Sequence, residues 1–238
     1  MPPLLKISSS LRPPSIDYLG VAFGLTAKLY RFWAKNGFGS LYIRQSKNQT
    51  TGEHSIIMLK PLNREIENDK NEMKTSDPNK QINFPFLFKE FKQRFARLLS
   101  MQFRDLDIGT CITMMDPNLS SKIQKKSSTN QDEYDEFLKS SFNFLDLKRL
   151  QNYSKGMIDY HMIRDLVPLL SESFFLGKFG PNVRMSYTQA AILMAMGLQH
   201  RQLEFIAEEA EIDISHCLAL FNKSMRKLAN AIKKAKYK

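Results

Sequence analysis

The sequence predicts an α+β fold, with a short α/β segment followed by a mostly α-helical domain. Three observations lead there. Up to about residue 60, short apolar runs flank a single amphipathic stretch, the pattern of strand, helix and strand. Between residues 63 and 83 charged side chains replace apolar ones. From residue 88 apolar residues recur every three or four positions, the period of helices with one buried face.

Ile16 to Phe23 is an apolar run with the length of a buried strand. Thr26 stands where an N-cap belongs, and the helix it opens runs to about Lys35. Leu29, Phe32 and Trp33 share one face of it, and Gly37 supplies the left-handed stop. Phe38–Arg44 and His54–Leu59 read as strands joined by the polar loop Ser46 to Gly52, which makes an antiparallel hairpin. Residues 63–83, crowded with Arg64, Glu65, Glu67, Asp69, Lys70, Glu72 and Lys74, form a solvated linker. The expected organisation is a first domain over 1–62, the linker over 63–83 and a helical domain over 84–238.

In the second half, Phe88, Phe91, Phe95, Leu98, Leu99 and Phe103 step through one amphipathic helix. A second polar loop covers 117–133. Residues 146–166 give a further helix with Leu147, Leu150, Met157, Ile158 and His161 inward. Ser186 with Gln189 is a capping box before Ala190 to Met196. The final helix starts near Asp213 or Ser215, and Ile214, Leu218, Phe221, Met225, Leu228 and Ile232 form the most regular apolar stripe in the chain.

Composition narrows the function classes. Lys plus Arg is 35 against 24 Asp plus Glu, a net charge of +11, which favours a polyanionic partner. No apolar run reaches the 18 residues of a membrane span, and Met1 to Pro14 lacks the apolar core of a signal peptide. Cys111 and Cys217 lie far apart, show no metal-ligand spacing and read as reduced thiols.

The last helix is the first candidate site. No acidic residue follows Asp213, while Lys223, Arg226, Lys227, Lys233 and Lys234 lie off its apolar stripe. Such a surface neutralises phosphates, although a solvated basic tail has the same composition. Residues 203–228 also have the spacing of a helix-turn-helix, and that leaves a DNA-binding regulator open, with Ser215, His216 and Asn222 at base edges. In the first half Lys35, at a helix end before Gly37-Phe38, offers a cation to a phosphate; a Lys there also suits the helix dipole. His54 suits hairpin support, with proton transfer as the lesser alternative, and His161 suits a core position.

Taken jointly, several segments resemble the RNA cytidine acetyltransferase family. They are Tyr18 to Thr26, Phe32-Trp33, Gly37-Phe38, Tyr42 to Gln45 and Thr51 to Lys60 in the first half. In the second they are Phe91 to Phe95, Leu98 to Ser100, Leu147 to Leu150, Met157 to His161, Gly197 to His200 and Leu220 to Asn222. The resemblance covers about residues 3–234. It implies a partial GNAT-like segment over 1–62, with Lys35 beside acetyl-CoA, and a tRNA- or rRNA-binding helical domain over 84–238. It implies acetylation of N4 of cytidine using acetyl-CoA and ATP, and a nuclear, nucleolar setting in eukaryotes. The family's Walker A and pyrophosphate loops have no counterpart here, and Trp33 stands where other GNAT branches place a Tyr acid, so no catalytic residue is assigned. The expectation is a C-terminal portion, inactive alone, that is either aggregation-prone or completed by the missing N-terminal portion in trans; a noncatalytic fragment is the remaining alternative.

Overall fold

The computed structural model describes residues 16–62, 83–115, 131–209 and 211–237. The expected linker lies outside these residues except for Asn83, and so does the polar loop up to residue 130; Gln131 to Glu133 already belong to a helix.

Strand β1 (Tyr18–Gly24), helix α1 (Ala27–Lys35) and strands β2 (Gly39–Ile43) and β3 (Ser55–Pro61) make the first unit. The sheet order is β1-β3-β2, and β3 runs antiparallel to both neighbours, with Val21 opposite Met58 and Tyr42 opposite Ile57. β1 and β2 are therefore parallel, and α1 is the crossover between them. The local signals act as expected: the Leu29 amide donates to the Thr26 hydroxyl at 3.3 Å, and Gly37 takes φ +87.

Two expectations need correcting. β1 is mostly exposed, because among the described residues no strand lies along its second edge. The buried positions of α1 are Tyr30 and Ala34, whereas Leu29 and Phe32 face solvent. Tyr30 wins the inward place because its hydroxyl shares a hydrogen bond with the buried Ser40 hydroxyl at 2.9 Å, so the ring is buried with its polar end satisfied.

Helix α2 (Phe84–Leu98) opens on Asn83, whose side chain accepts from the Phe86 amide at 3.0 Å. It buries Phe84, Phe88, Phe91 and Phe95 in a row. The Phe88 ring lies 2.5 Å from where a Cβ on Gly39 would stand, so only glycine lets α2 seat on β2. Phe84 packs against Tyr18 at 5.9 Å between ring centroids, and the Arg94 guanidinium lies over the Tyr42 ring. Phe103, expected on the same helix, follows it in a turn, yet it is fully buried between Phe95 and His54. One hydrophobic core thus runs from the sheet into the helical part.

The remaining helices are α3 (Ile108–Met115), α4 (Gln131–Ser141), α5 (Phe144–Ser154), α6 (Leu166–Phe175), α7 (Tyr187–Leu193), α8 (Leu203–Glu209) and α9 (Ile214–Lys236). A 3-10 turn at Tyr160–Met162 precedes α6, and a π-helical turn at Met194–Leu198 continues α7. α9 packs against α4, α5, α7 and α8. The Ser186–Gln189 capping box is present, with both reciprocal bonds at 3.2 Å. The helix expected over 146–166 is in fact α5 plus an irregular connection. Gly156, at φ +73, ends it, and Met157 and His161 are exposed rather than inward.

Candidate nucleic-acid interface

α9 starts at Ile214, with Asp213 as its N-cap, and from Phe221 onward Phe221, Met225, Leu228 and Ile232 are buried as their spacing predicts. The first turn departs from the stripe. Ile214 and Leu218 are 49% and 43% exposed, and Cys217 turns inward instead. The opposite face carries Lys223, Arg226, Asn230, Lys233 and Lys234, all exposed. From Lys223 to Lys234 this ridge spans about 16 Å at the α-helical rise.

The basic residues of α9 divide into two sets. Three of them hold the fold together. Lys227 Nζ donates to the Arg184 carbonyl and to Gln189 Oε1, both at 2.9 Å. Arg226 donates to the Ser154 carbonyl, at the end of α5, at 3.1 Å. Lys236 donates to the Lys139 carbonyl, in the last turn of α4, at 3.2 Å. The last carbonyls of a helix have no partner within it, so cations placed there complete α4 and α5 and meet the negative end of each dipole. Lys223, Lys233 and Lys234 form the second set, with no hydrogen bond or ion pair among the described residues. Lys227, named with them from the sequence, is half-buried and committed to the fold.

The α5–α6 connection borders this ridge. The Arg149 guanidinium donates to both carboxylate oxygens of Asp165 at 2.9 Å, to Asp146 at 2.8 Å and to the Met162 carbonyl at 3.0 Å. Those hydrogen bonds hold the Asp165 carboxyl below its ordinary range and push Arg149 up. The Tyr153 hydroxyl donates to Asn222 on α9 at 2.5 Å, and burial pushes that phenol up to about 12, so it keeps its proton. The Tyr160 ring stands edge-on to Phe221, 5.8 Å between centroids. Sequence reasoning missed Arg149 and Tyr153. For Arg149 the acid three residues before it was a signal; Tyr153 had none.

The α8–α9 corner is different in charge. Glu204, Glu208, Glu209, Glu211 and Asp213 are exposed around it, and Arg201 pairs with Glu209 at 3.4 Å. Of the three side chains suggested for reading bases, the Ser215 hydroxyl donates to Asp213 and Asn222 accepts from Tyr153; His216 alone is exposed without such a bond among the described residues. An acidic corner with its polar groups already paired repels a phosphate backbone.

The histidines are structural or peripheral. His54 is buried, and because a carbonyl only accepts, its Nδ1 carries the proton donated to the Arg44 carbonyl at 2.9 Å. His54 thus braces the β2–β3 hairpin. His200 takes φ +52, and its carbonyl accepts from Arg104. Burial, and then Asp107, push the Cys111 thiol far up; burial and Asp213 raise Cys217. Among the described residues no three His, Cys, Asp or Glu gather as a metal site, and no helix is long and apolar enough to cross a membrane.

Lys35 is exposed at the C-terminal end of α1. That end carries the negative pole of the helix, which suits the lysine but not a pyrophosphate, and the amides of the α1 N-terminus are partly taken by Thr26. Lys60 Nζ lies beside Gly37 and over the Phe38 ring, so the described residues bring two lysines to this corner and no phosphate cradle.

A small sheet unit continuous in its core with a helical domain defines the class: an α+β protein whose last helix presents a cationic face. Residues 84–238 match the family model described as "Possible tRNA binding domain", and residues 1–63 match "GNAT acetyltransferase 2". RNA cytidine acetyltransferases from Dictyostelium discoideum, Homo sapiens and Saccharomyces cerevisiae are each 35% identical to the chain, over 100%, 96% and 96% of its length. The chain spans 22%, 21% and 20% of those relatives. The chain belongs to the RNA cytidine acetyltransferase family.

Proposed function

We propose that this chain is the RNA-holding part of an RNA cytidine N4-acetyltransferase and contributes one side of its acetyl-CoA site. The observation that carries this is the cationic ridge of α9. Lys223, Lys233 and Lys234 stand exposed on a face with no acid, on a domain whose family is named for tRNA binding. The basic residues that the fold needs are already paired, so these three have no structural task among the described residues. Phosphates of tRNA or an rRNA hairpin are the ligands such a ridge fits, and Lys35 would face the cofactor's phosphates. The rest of the acetyl-CoA site and the ATP chemistry belong to the remaining part of the longer protein, which acts with this chain covalently or in trans. The acidic α8–α9 corner weighs against the helix-turn-helix reading. A nuclear, nucleolar location is part of this proposal, and imaging of a tagged chain checks it.

The test is RNA binding as a function of salt. Each phosphate neutralised contributes about 0.7–0.9 to the slope of log affinity against log salt. The triple variant Lys223→Gln, Lys233→Gln, Lys234→Gln should lower that slope by about 2. An unchanged slope in a folded variant overturns the assignment of the ridge, and duplex DNA outcompeting structured RNA overturns the partner.

A further inference from the structure

We propose that the α5–α6 connection, with the α9 ridge beside it, selects RNA that carries an unpaired nucleotide, with the His161 ring as the platform on which that base stacks. This rests on the reading of the ridge as an RNA surface and goes beyond it by naming the RNA feature recognised.

The connection from Lys155 to Asp165 is fixed by restraints from three directions. Arg149 grips the Met162 carbonyl and Asp165 from α5. The Tyr160 ring is wedged against Phe221 of α9. Arg226 of α9 holds the Ser154 carbonyl where the connection begins. A segment so anchored would be expected to fold its apolar and aromatic side chains inward. Tyr160 does so in part, but His161, Met157 and Met162 face solvent. The His161 ring lies beside Tyr160, 6.4 Å between centroids, so it is presented on a braced turn rather than on a loose one.

The charge around the ring fits nucleic acid. Lys155 and Arg164 are exposed on the same connection, and Lys223 is exposed on α9 two residues beyond Phe221. Asp159 is exposed as well, and Asp146 and Asp165 share the one charge of Arg149, so the exposed cations Lys155, Arg164 and Lys223 outnumber the acid charge left over by one. An A-form duplex hides the faces of its bases, so a ring held here meets a base only where one is splayed out of the helix. Basic groups on either side then meet the phosphates flanking that nucleotide, and the two methionines give a soft apolar border. A continuous duplex would touch the ridge alone.

Two RNA hairpins of the same stem, one with a single bulged 2-aminopurine and one with the same base paired, separate the contributions in binding to the full chain. The bulged RNA should bind about tenfold tighter, within the range for stacking one base on an aromatic side chain. Its fluorescence should be quenched on binding. His161→Ala should abolish the preference and the quenching while leaving the affinity for the paired hairpin unchanged, and His161→Phe should keep both. If His161→Ala retains the preference, or weakens both RNAs equally, the proposal is wrong. Salt-sensitive binding of both hairpins with no preference in the unmodified chain overturns this inference and spares the ridge. No affinity for either RNA overturns both.

Discussion

Replacing Lys227 with methionine isolates the structural role of one lysine on a helix full of them. Methionine keeps an unbranched chain of similar length and removes the ammonium. The loss is two charge-assisted hydrogen bonds, to the Arg184 carbonyl and to Gln189 Oε1. A hydrogen bond to a charged group contributes about 1.5–3 kcal/mol, and removing one partner costs most when the other is left buried and unpaired. Neither acceptor is left so here. Arg184 is exposed, so water replaces the lysine, and Gln189 Oε1 still accepts from the Ser186 amide. Gln189 is nonetheless buried, so its Oε1 loses one of its two hydrogen bonds with little water to replace it, and part of the loss remains. Together these set the cost at about 1–2 kcal/mol. For a chain of this length that lowers Tm by roughly 2–8 °C. Thermal melts by circular dichroism should show this drop for Lys227→Met and a change within about 0.5 kcal/mol for Lys223→Met. Equal melting of Lys227→Met and the unmodified chain would refute the division of α9 into struts and ligands.

Four other outcomes follow from the geometry. Gly39→Ala should cost about 1–3 kcal/mol by driving a methyl into the Phe88 ring, and Phe88→Leu in the same chain should recover part of it in a double-mutant cycle. The Asp165 carboxyl is depressed by Arg149, so its contribution to stability is full above the unfolded carboxylate range, near pH 4, and is lost as pH falls through the lower folded value. The Tm difference between the unmodified chain and Asp165→Asn should therefore be steady above about pH 5 and shrink toward pH 2. Cys111, fully buried and held as the thiol, should resist a thiol reagent until denaturant unfolds the chain. Incubated alone with acetyl-CoA, ATP and RNA, the chain should form no N4-acetylcytidine, since the described residues lack a phosphate cradle; product detected by mass spectrometry would contradict this.

The parts legible in the sequence are those decided by near neighbours. The Thr26 cap, the Gly37 stop, the Ser186–Gln189 box and the buried row of α9 each depend on residues within a turn or two. Faces and partners were less legible because they depend on distant chain. The inward turn of Tyr30 requires Ser40 beneath it, and Phe103 is buried by rings from α2 and β3's approach rather than by a helix of its own. The struts were invisible for the same reason: Arg226 and Ser154 are 72 positions apart, Lys236 and Lys139 are 97. Gly156 could have warned that the helix after Leu147 stops early. α6 interrupts its apolar residues with Ser171-Glu172-Ser173, and both serines are buried, so polarity misplaces its inward face. Lys223, Lys233 and Lys234 stay exposed where charge and spacing put them, while Lys227 sits at the margin of the buried stripe, and only the structure supplies its acceptors.

The phenylalanine row that α2 drives into the sheet has a mechanical consequence. A hinge needs two surfaces that can slide, and rings locked over Gly39 and between Tyr18, His54 and Phe103 offer no slip plane. RNA held on α9, as proposed above, would therefore be carried at a fixed bearing relative to β1, which has no second neighbour among the described residues. Altering that bearing takes repacking of the seam rather than a swivel. Substitutions deep in the seam should then misalign delivery while every contact to the cargo stays intact.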